Sequence, residues 1–482
     1  MKLNSIGKNA FYNSVKQLSS IIFPLISFSY SSRVLGTEQL GKYSFGQSII
    51  SYFLLLSYLG IPNYAIREGT RCRENEGEVS QFINEIFSIN FLLTICTYIF
   101  LVLCIQNISK VNEYKIIILI ESSQILLTTI GSDWINTLFE DYFYLTVRYI
   151  VIQVFCIITL IIFVQSPNDI YKYTLISVIA NSGGNLWNAF YLRRRKIRLK
   201  FTIKLNLKRH LKSILVLFFN SVASVVYLNS DVTMIGFWLD DSQVGIYTVT
   251  SKIYTMVKTL INAVIMVTVP RFSSYVFNSE LDKYRYNLEN VFKFLNIIVF
   301  PIACGMFAEA ENIICIIAGY EYLKGINVIR ILSISIVFAV FSCFFSYAIL
   351  LPNRKEINFM WATIAAASAN IVLNIFFIPY LKINGAAITT LIAEIIVFLL
   401  SLKFSMDIKI FKIKITGLKE GITGGIIVMF ICGICTVVMT SNLYSFVVAF
   451  ICSVGCYFFI LLKFGYTPAI EIWNVLVKRR IK

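Results

Sequence analysis

The chain has 482 residues, 57% of them hydrophobic and 14% charged, with a formal net charge of +17 and a mean hydropathy of +0.74. A water-soluble core of this size needs a polar surface that so few charged residues cannot supply, so soluble folds are excluded and the chain must dissolve in lipid. One histidine and eleven cysteines, of which only Cys72 lies clearly outside an apolar run, leave little material for redox or metal chemistry.

Runs of roughly twenty apolar residues recur about fourteen times. Each reads as a transmembrane helix, because a helix satisfies its own backbone hydrogen bonds in hydrocarbon, and no extended period-two alternation suggests a barrel. In chain order the predicted spans are Asn13–Arg33, Lys42–Ile66, Phe82–Gln106, Lys115–Leu138, Tyr142–Gln165, Tyr171–Leu192 and Leu211–Leu239. They continue with Val244–Val269, Val291–Glu309, Val328–Leu351, Asn358–Ile378, Gly385–Phe404, Gly421–Met439 and Leu443–Leu462. The apolar pattern is interrupted in the fourth span by Glu121 and Asp133, and in the sixth by Asn181, Asn185 and Asn188. The expected fold class is an all-α integral membrane protein.

Charge supports the even count. The most basic segment joins the sixth and seventh spans, with Arg193, Arg194, Arg195, Lys196, Arg198, Lys200, Lys204, Lys208, Arg209 and Lys212. A second, with Lys403, Lys409, Lys412, Lys414 and Lys419, joins the twelfth and thirteenth, and the tail ends in Lys478, Arg479, Arg480 and Lys482. Loops of opposite parity are poor in such residues, so the positive-inside rule places both termini in the cytoplasm. The basic runs then face anionic lipid headgroups rather than nucleic acid. His210 lies in the most basic segment and is expected to be solvated. The first span lacks a small-residue cleavage pattern and reads as a retained helix.

Nothing resembles a catalytic centre. Cys432 and Cys435 form a C-x-x-C inside the thirteenth span, without a histidine or second cysteine pair outside the lipid, and read as packing residues. No phosphate-cradling glycine loop is present, so no nucleotide hydrolysis and no cofactor is expected.

Shifting the chain by 204 residues lays Gln39-Leu40-Gly41-Lys42-Tyr43 on Gln243-Val244-Gly245-Ile246-Tyr247, and Lys8, Ser20 and Ser27 on Lys212, Ser224 and Asp231. A six-span shift preserves direction across the membrane, which predicts two parallel six-helix lobes with two helices appended. The expected organisation is an N-lobe over 1–192, a basic linker over 193–210, a C-lobe over 211–405, and a loop, two spans and basic tail over 406–482. Transporters with this plan bind substrate between lobes.

Helical period nominates the lining. Asn13, Lys16, Ser20, Pro24, Ser27 and Ser31 share one face of the first span, and Asn220, Ser224, Tyr227 and Asp231 share one face of the seventh. A central charge costs about 2.5–3.5 kcal/mol on insertion scales, against a gain of about 0.3–0.6 per aliphatic residue. Lys16 and Asp231 are therefore expected to face protein or water, either pairing within the bundle or lining a polar cavity. Lys252 and Lys258 in the eighth span, Arg330 at the start of the tenth and Glu394 in the twelfth extend the pattern. The excess of cations would suit a phosphate or acidic sugar.

The run from Lys8 through Arg67 resembles the start of bacterial O-antigen and polysaccharide repeat-unit flippases (the Wzx type). DVTMIGFWLDDSQVGIYTVTSKIYTMVKTL at Asp231–Leu260, VPRFS at Val269–Ser273 and INGAAITTLIAEI at Ile383–Ile395 are similar to the same family. These proteins belong to the multidrug/oligosaccharidyl-lipid/polysaccharide exporter superfamily, and the resemblance implies two parallel six-helix lobes. It also implies movement of an undecaprenyl-pyrophosphate-linked oligosaccharide to the outer leaflet of the inner membrane. Lys16, Lys252 and Arg330 are then the expected anion contacts, with Arg33, Arg67 and Arg271 nearer the cavity mouths. Asn13, Asn220 and Tyr227 would line the site, and Asp231 or Glu394 would couple an ion or form a salt bridge. A monomer is expected, with a polysaccharide polymerase and a chain-length regulator as partners by resemblance. Family members tend to follow Asp133-Trp134 with aromatic and glycine residues, whereas this chain continues Ile135-Asn136-Thr137-Leu138. Two rivals share some features. A small-molecule antiporter of the same superfamily would tend towards acidic cavity residues, and a membrane polymerase would need a substantial extracytoplasmic loop.

Overall fold

The computed structural model describes residues 6–203, 207–408, 416–439, 441–466 and 469–470. The basic residues Lys204, Lys409, Lys412, Lys414, Lys478, Arg479, Arg480 and Lys482 lie outside them, as do the side chains of Lys208, Arg209, Lys212 and Asn220. No strand occurs among the described residues. In the first part of the chain the helices are α1 (Ile6–Tyr58), α2 (Ile61–Cys72), α3 (Glu76–Asn107), α4 (Ser109–Glu113), α5 (Lys115–Gly131), α6 (Trp134–Leu138), α7 (Tyr142–Phe163), α8 (Ile170–Val178), α9 (Gly184–Arg194) and α10 (Leu207–Trp238). They continue as α11 (Asp241–Phe277), α12 (Leu281–Ala308), α13 (Ala310–Ile317), α14 (Ile326–Cys343), α15 (Glu356–Met406), α16 (Leu418–Val438) and α17 (Asn442–Lys463).

Ten helical stretches among the described residues are long and apolar enough to cross a membrane. Two of them, Phe11–Cys72 and Glu356–Met406, run for 62 and 51 residues. At about 1.5 Å per residue each exceeds twice the ~30 Å hydrocarbon thickness, so each holds two crossings. The backbone breaks where this requires it, at Gly36 (φ 71°, ψ 178°) and at Lys382 (φ 52°, ψ −135°). Ten stretches, two of them double, account for twelve of the fourteen predicted spans. The other two are the sixth, split into α8, a π-helical turn at Ile179–Gly183 and α9, and the seventh, α10. The chain is a multi-pass membrane protein, and its outward faces agree. On α7 the exposed residues include Val151, Phe155, Ile158 and Ile162, an apolar stripe at helical spacing.

The chain divides into two compact units, Met1–Gly245 and Ile246–Lys482. The boundary falls after α10, so the helix carrying Tyr227 and Asp231 groups with the first unit. The local reason is its packing on α1: Thr233 Oγ1 donates to Ser48 Oγ at 3.0 Å, and Phe45 packs edge-on against Phe237 at 5.4 Å. Within this unit Asn188, one of the asparagines that interrupt the sixth span, is satisfied inside the bundle. Asn188 donates to the Gly131 carbonyl at 2.5 Å and accepts from Asn136 at 2.6 Å. In lipid an unsatisfied amide would be costly, so these bonds act as glue between α5, α6 and α9.

Local signals set the helix ends. Asn75 caps α3, accepting from the Gly77 and Glu78 amides at 3.1 and 3.4 Å. Between α7 and α8, Asp169 accepts from Lys172, from the Gln165 and Ser166 amides and from the Ser166 hydroxyl. These donors, Lys172 foremost, hold its carboxyl well below the usual carboxylate range.

The second unit is built on α12 against α16 and α14 against α15. Small buried residues on α15, including Ala362, Ala366, Ala386 and Ala393, permit close helix approach. Phe292 packs between Phe341 and Phe344, each at 5.4 Å between centroids.

Candidate functional site

Within the first unit the polar face of α1 is graded. Asn13 and Ser20 are exposed, Lys16 and Ser27 half-buried, and Ser31 fully buried. The charges acting most on Lys16 are those of Asp133, which attracts it, and Arg148, which repels it. Those two groups are themselves an ion pair: both Arg148 guanidinium nitrogens reach the Asp133 carboxylate, one at 2.7 Å. Arg148 is buried on α7, while Asp133 remains partly open. This fork is the geometry in which a guanidinium and a carboxylate bind most strongly.

Asp231 is buried on α10, two residues before Thr233, whose hydroxyl pairs with Tyr52 at 3.1 Å and with Ser48. Its charge reaches the Tyr52 hydroxyl. Tyr227, one turn earlier, is half-buried. Asn220 lies outside the described side chains. Arg33 and Arg67 are exposed, and Arg67 shares Glu68 with Arg71, at 3.2 and 2.7 Å.

Within the second unit Lys252, Arg271 and Arg330 all present exposed side chains. Arg330 lies over the Phe307 ring at 5.6 Å, a cation–π contact. Glu394 is buried at 2% exposure and is held by Lys258 at 2.5 Å and by the Tyr254 hydroxyl at 2.8 Å. Tyr254 and Lys258 are one turn apart on α11, so both reach the same carboxylate.

The structure therefore sorts the intramembrane cations into two kinds. Arg148 and Lys258 meet carboxylates. Lys16, Lys252 and Arg330 form no ion pair among the described residues. Insertion cost did not by itself separate them.

One expectation is corrected. His210 is not solvated: it is 0% exposed, with Nδ1 2.7 Å from the Tyr64 hydroxyl, Nε2 2.8 Å from Glu85 and its ring edge-on to Phe82. A histidine amid basic residues looks solvated only while its distant partners are unknown, and Glu85 and Tyr64 come from α3 and α2. Sequence reasoning also passed over Arg148, although a charge in an apolar span is the same signal that nominated Lys16. Among the described residues no cluster of histidine, cysteine and carboxylate groups could hold a metal ion. Cys432 and Cys435 are buried, and Cys432 packs against the Ser453 hydroxyl at 3.8 Å.

A protein of Escherichia coli (strain K12) named "Putative O-antigen transporter" is 24% identical over 408 residues, covering 84% of this chain and 98% of that protein. One of the same name from Shigella dysenteriae is 22% identical, covering 80% and 96%. The fold is similar to that of the lipid II flippase MurJ in an inward closed conformation, with a TM-score of 0.78, 18% identity, and coverage of 94% and 98%. An inward-facing multidrug resistance MATE transporter of the MOP superfamily follows at a TM-score of 0.63. The all-α transporter fold and the family resemblance are both borne out. Residues 6–276, more than half of the chain, match the family described as polysaccharide biosynthesis protein, and the chain belongs to that family.

Proposed function

We propose that the chain is a flippase that moves a lipid-linked oligosaccharide, a surface-polysaccharide repeat unit on undecaprenyl pyrophosphate, across the bacterial inner membrane by alternating access. The observation that carries this reading is that Lys16, Lys252 and Arg330, in helices otherwise suited to hydrocarbon, form no ion pair among the described residues. Each carries the ~3 kcal/mol cost of a charge in an apolar span without the return that Arg148 and Lys258 obtain from their carboxylates. An anionic group that arrives only during transport supplies that return, and a pyrophosphate does so with several acceptor oxygens.

Asn13, Asn220 and Tyr227 offer hydrogen bonds to sugar hydroxyls, and Arg33, Arg67 and Arg271 receive the anion at the approaches. Asp231 and Glu394 are the carboxylates assigned to ion coupling; at Glu394 coupling requires Lys258 to release it. Both relatives carry the name "Putative O-antigen transporter", which favours translocation over glycan joining. On this reading both termini are cytoplasmic, one chain suffices, and a polymerase and chain-length regulator act on its product.

The test is the position and size of lipid-linked glycans in cells lacking the chain, with and without its restoration. Single repeat units held on the cytoplasmic leaflet and released on restoration are expected. Single units that reach the outer leaflet unjoined would show a polymerase instead, and unchanged surface glycan would sink both readings.

A further inference from the structure

Two tyrosines from separate helices of the first unit stack face to face, Tyr144 of α7 on Tyr191 of α9, with centroids 3.6 Å apart and planes 7° from parallel. Each carries an arginine one turn on: Arg148 lies over Tyr144 at 5.4 Å and Arg195 over Tyr191 at 4.9 Å. Buried Asp141 fixes the end of this stack, accepting from Tyr191 at 2.5 Å and pairing with Arg195 at 2.7 Å. Beside it opens a recess of about 510 Å³, lined also by Lys8 and Tyr12 of α1. A second recess of about 650 Å³ shares Trp187 and Tyr191 and adds Arg193 and Arg194.

The charges do not balance. Arg148 is shared with Asp133 and Arg195 with Asp141, but Lys8, Arg193 and Arg194 form no ion pair among the described residues. The remaining wall is apolar and open: Phe143, Val147, Trp187 and Phe190 are between 43% and 65% exposed. Cations at a helix end above a belt of exposed aromatics are the two halves of an interfacial amphiphile site. A basic loop that only sets topology needs no preformed aromatic recess.

We propose that these two recesses, which share Trp187 and Tyr191, together bind an anionic membrane phospholipid, with Lys8, Arg193 and Arg194 as the cations that attract its headgroup and Phe143, Val147, Trp187 and Phe190 as the apolar walls for its acyl chains. Buried Arg148 and Asp141 keep the tyrosine stack rigid, so the site exists before the lipid arrives. The lipid ties the start of α1 to α9, and the cations that hold it are other than those assigned above to the transported anion.

The test is native mass spectrometry of the full-length protein with added phosphatidylglycerol or phosphatidylcholine of identical acyl chains. Phosphatidylglycerol is expected to be retained preferentially, and Lys8→Gln and Arg194→Gln are each expected to lower its retention about fivefold. Trp187→Ala should lower retention of both lipids, and all three variants should melt like the parent. Equal retention of the two lipids, or unchanged retention in the charge variants, would overturn the proposal. Displacement by a short-chain prenyl pyrophosphate at equimolar concentration would reassign the recess to the carrier lipid. Displacement by inorganic phosphate at that concentration would make it a free-anion site.

Discussion

Gly41 and Gly245 are pressed against each other's helices in a reciprocal contact. A Cβ on Gly41 would lie 1.8 Å from the carbonyl oxygen of Asp241, and one on Gly245 would lie 1.9 Å from that of Thr37. The 204-residue shift that maps Gly41 onto Gly245 also maps Thr37 onto Asp241, so the two close approaches correspond under that shift. Thr37 and Ser242 hydroxyls bond at 2.9 Å beside it, and Tyr114 donates to Asp241 at 2.5 Å. Backbone cannot yield as a side chain can, so Gly41→Ala and Gly245→Ala should each lower stability by at least ~2 kcal/mol. Gly433→Ala, where nothing lies within 4 Å, should be neutral. Thermal unfolding in detergent measures all three, and a neutral Gly41→Ala would refute the close approach.

His210 ties α10 to α2 and α3 through Tyr64 and Glu85. His210→Ala leaves a buried carboxylate without this partner, and we expect a loss of about 2–4 kcal/mol. A double-mutant cycle with Glu85→Gln should show coupling above ~1 kcal/mol. Additive effects would mean that the two groups do not act as a pair.

Lys258 and Glu394 offer a test in the second unit. Removing either partner alone, as in Lys258→Met or Glu394→Leu, should destabilise by about 3 kcal/mol, because the other charge stays buried. The double variant should recover most of that loss. If the double variant fares no better than the worse single one, the pair is not a simple structural bridge and coupling at Glu394 gains support.

Lys16 is assigned to the transported anion, so Lys16→Ala should reduce glycan export at least tenfold without lowering protein abundance, and Lys16→Arg should keep much of it. Loss of the folded protein in both variants would show a structural role. Lys252 and Arg330 should follow Lys16; Arg148→Ala instead strands Asp133 and should act first on stability.

Composition and local hydropathy already determined that the chain is a helical membrane protein, because apolar run length is a property of contiguous residues. They also placed the spans, including the double ones whose breaks at Gly36 and Lys382 only the backbone shows. The helical spacing of Tyr144 with Arg148 and of Tyr191 with Arg195 was legible too, but nothing local says that the two tyrosines stack. The same holds for His210, whose burial depends on Glu85 and Tyr64, 125 and 146 residues away. Insertion cost marks which charges are expensive in lipid. Which of them are compensated depends on what neighbouring helices bring within about 3 Å, and only the tertiary structure decided that Arg148 and Lys258 meet carboxylates within their units while Lys16, Lys252 and Arg330 meet none among the described residues.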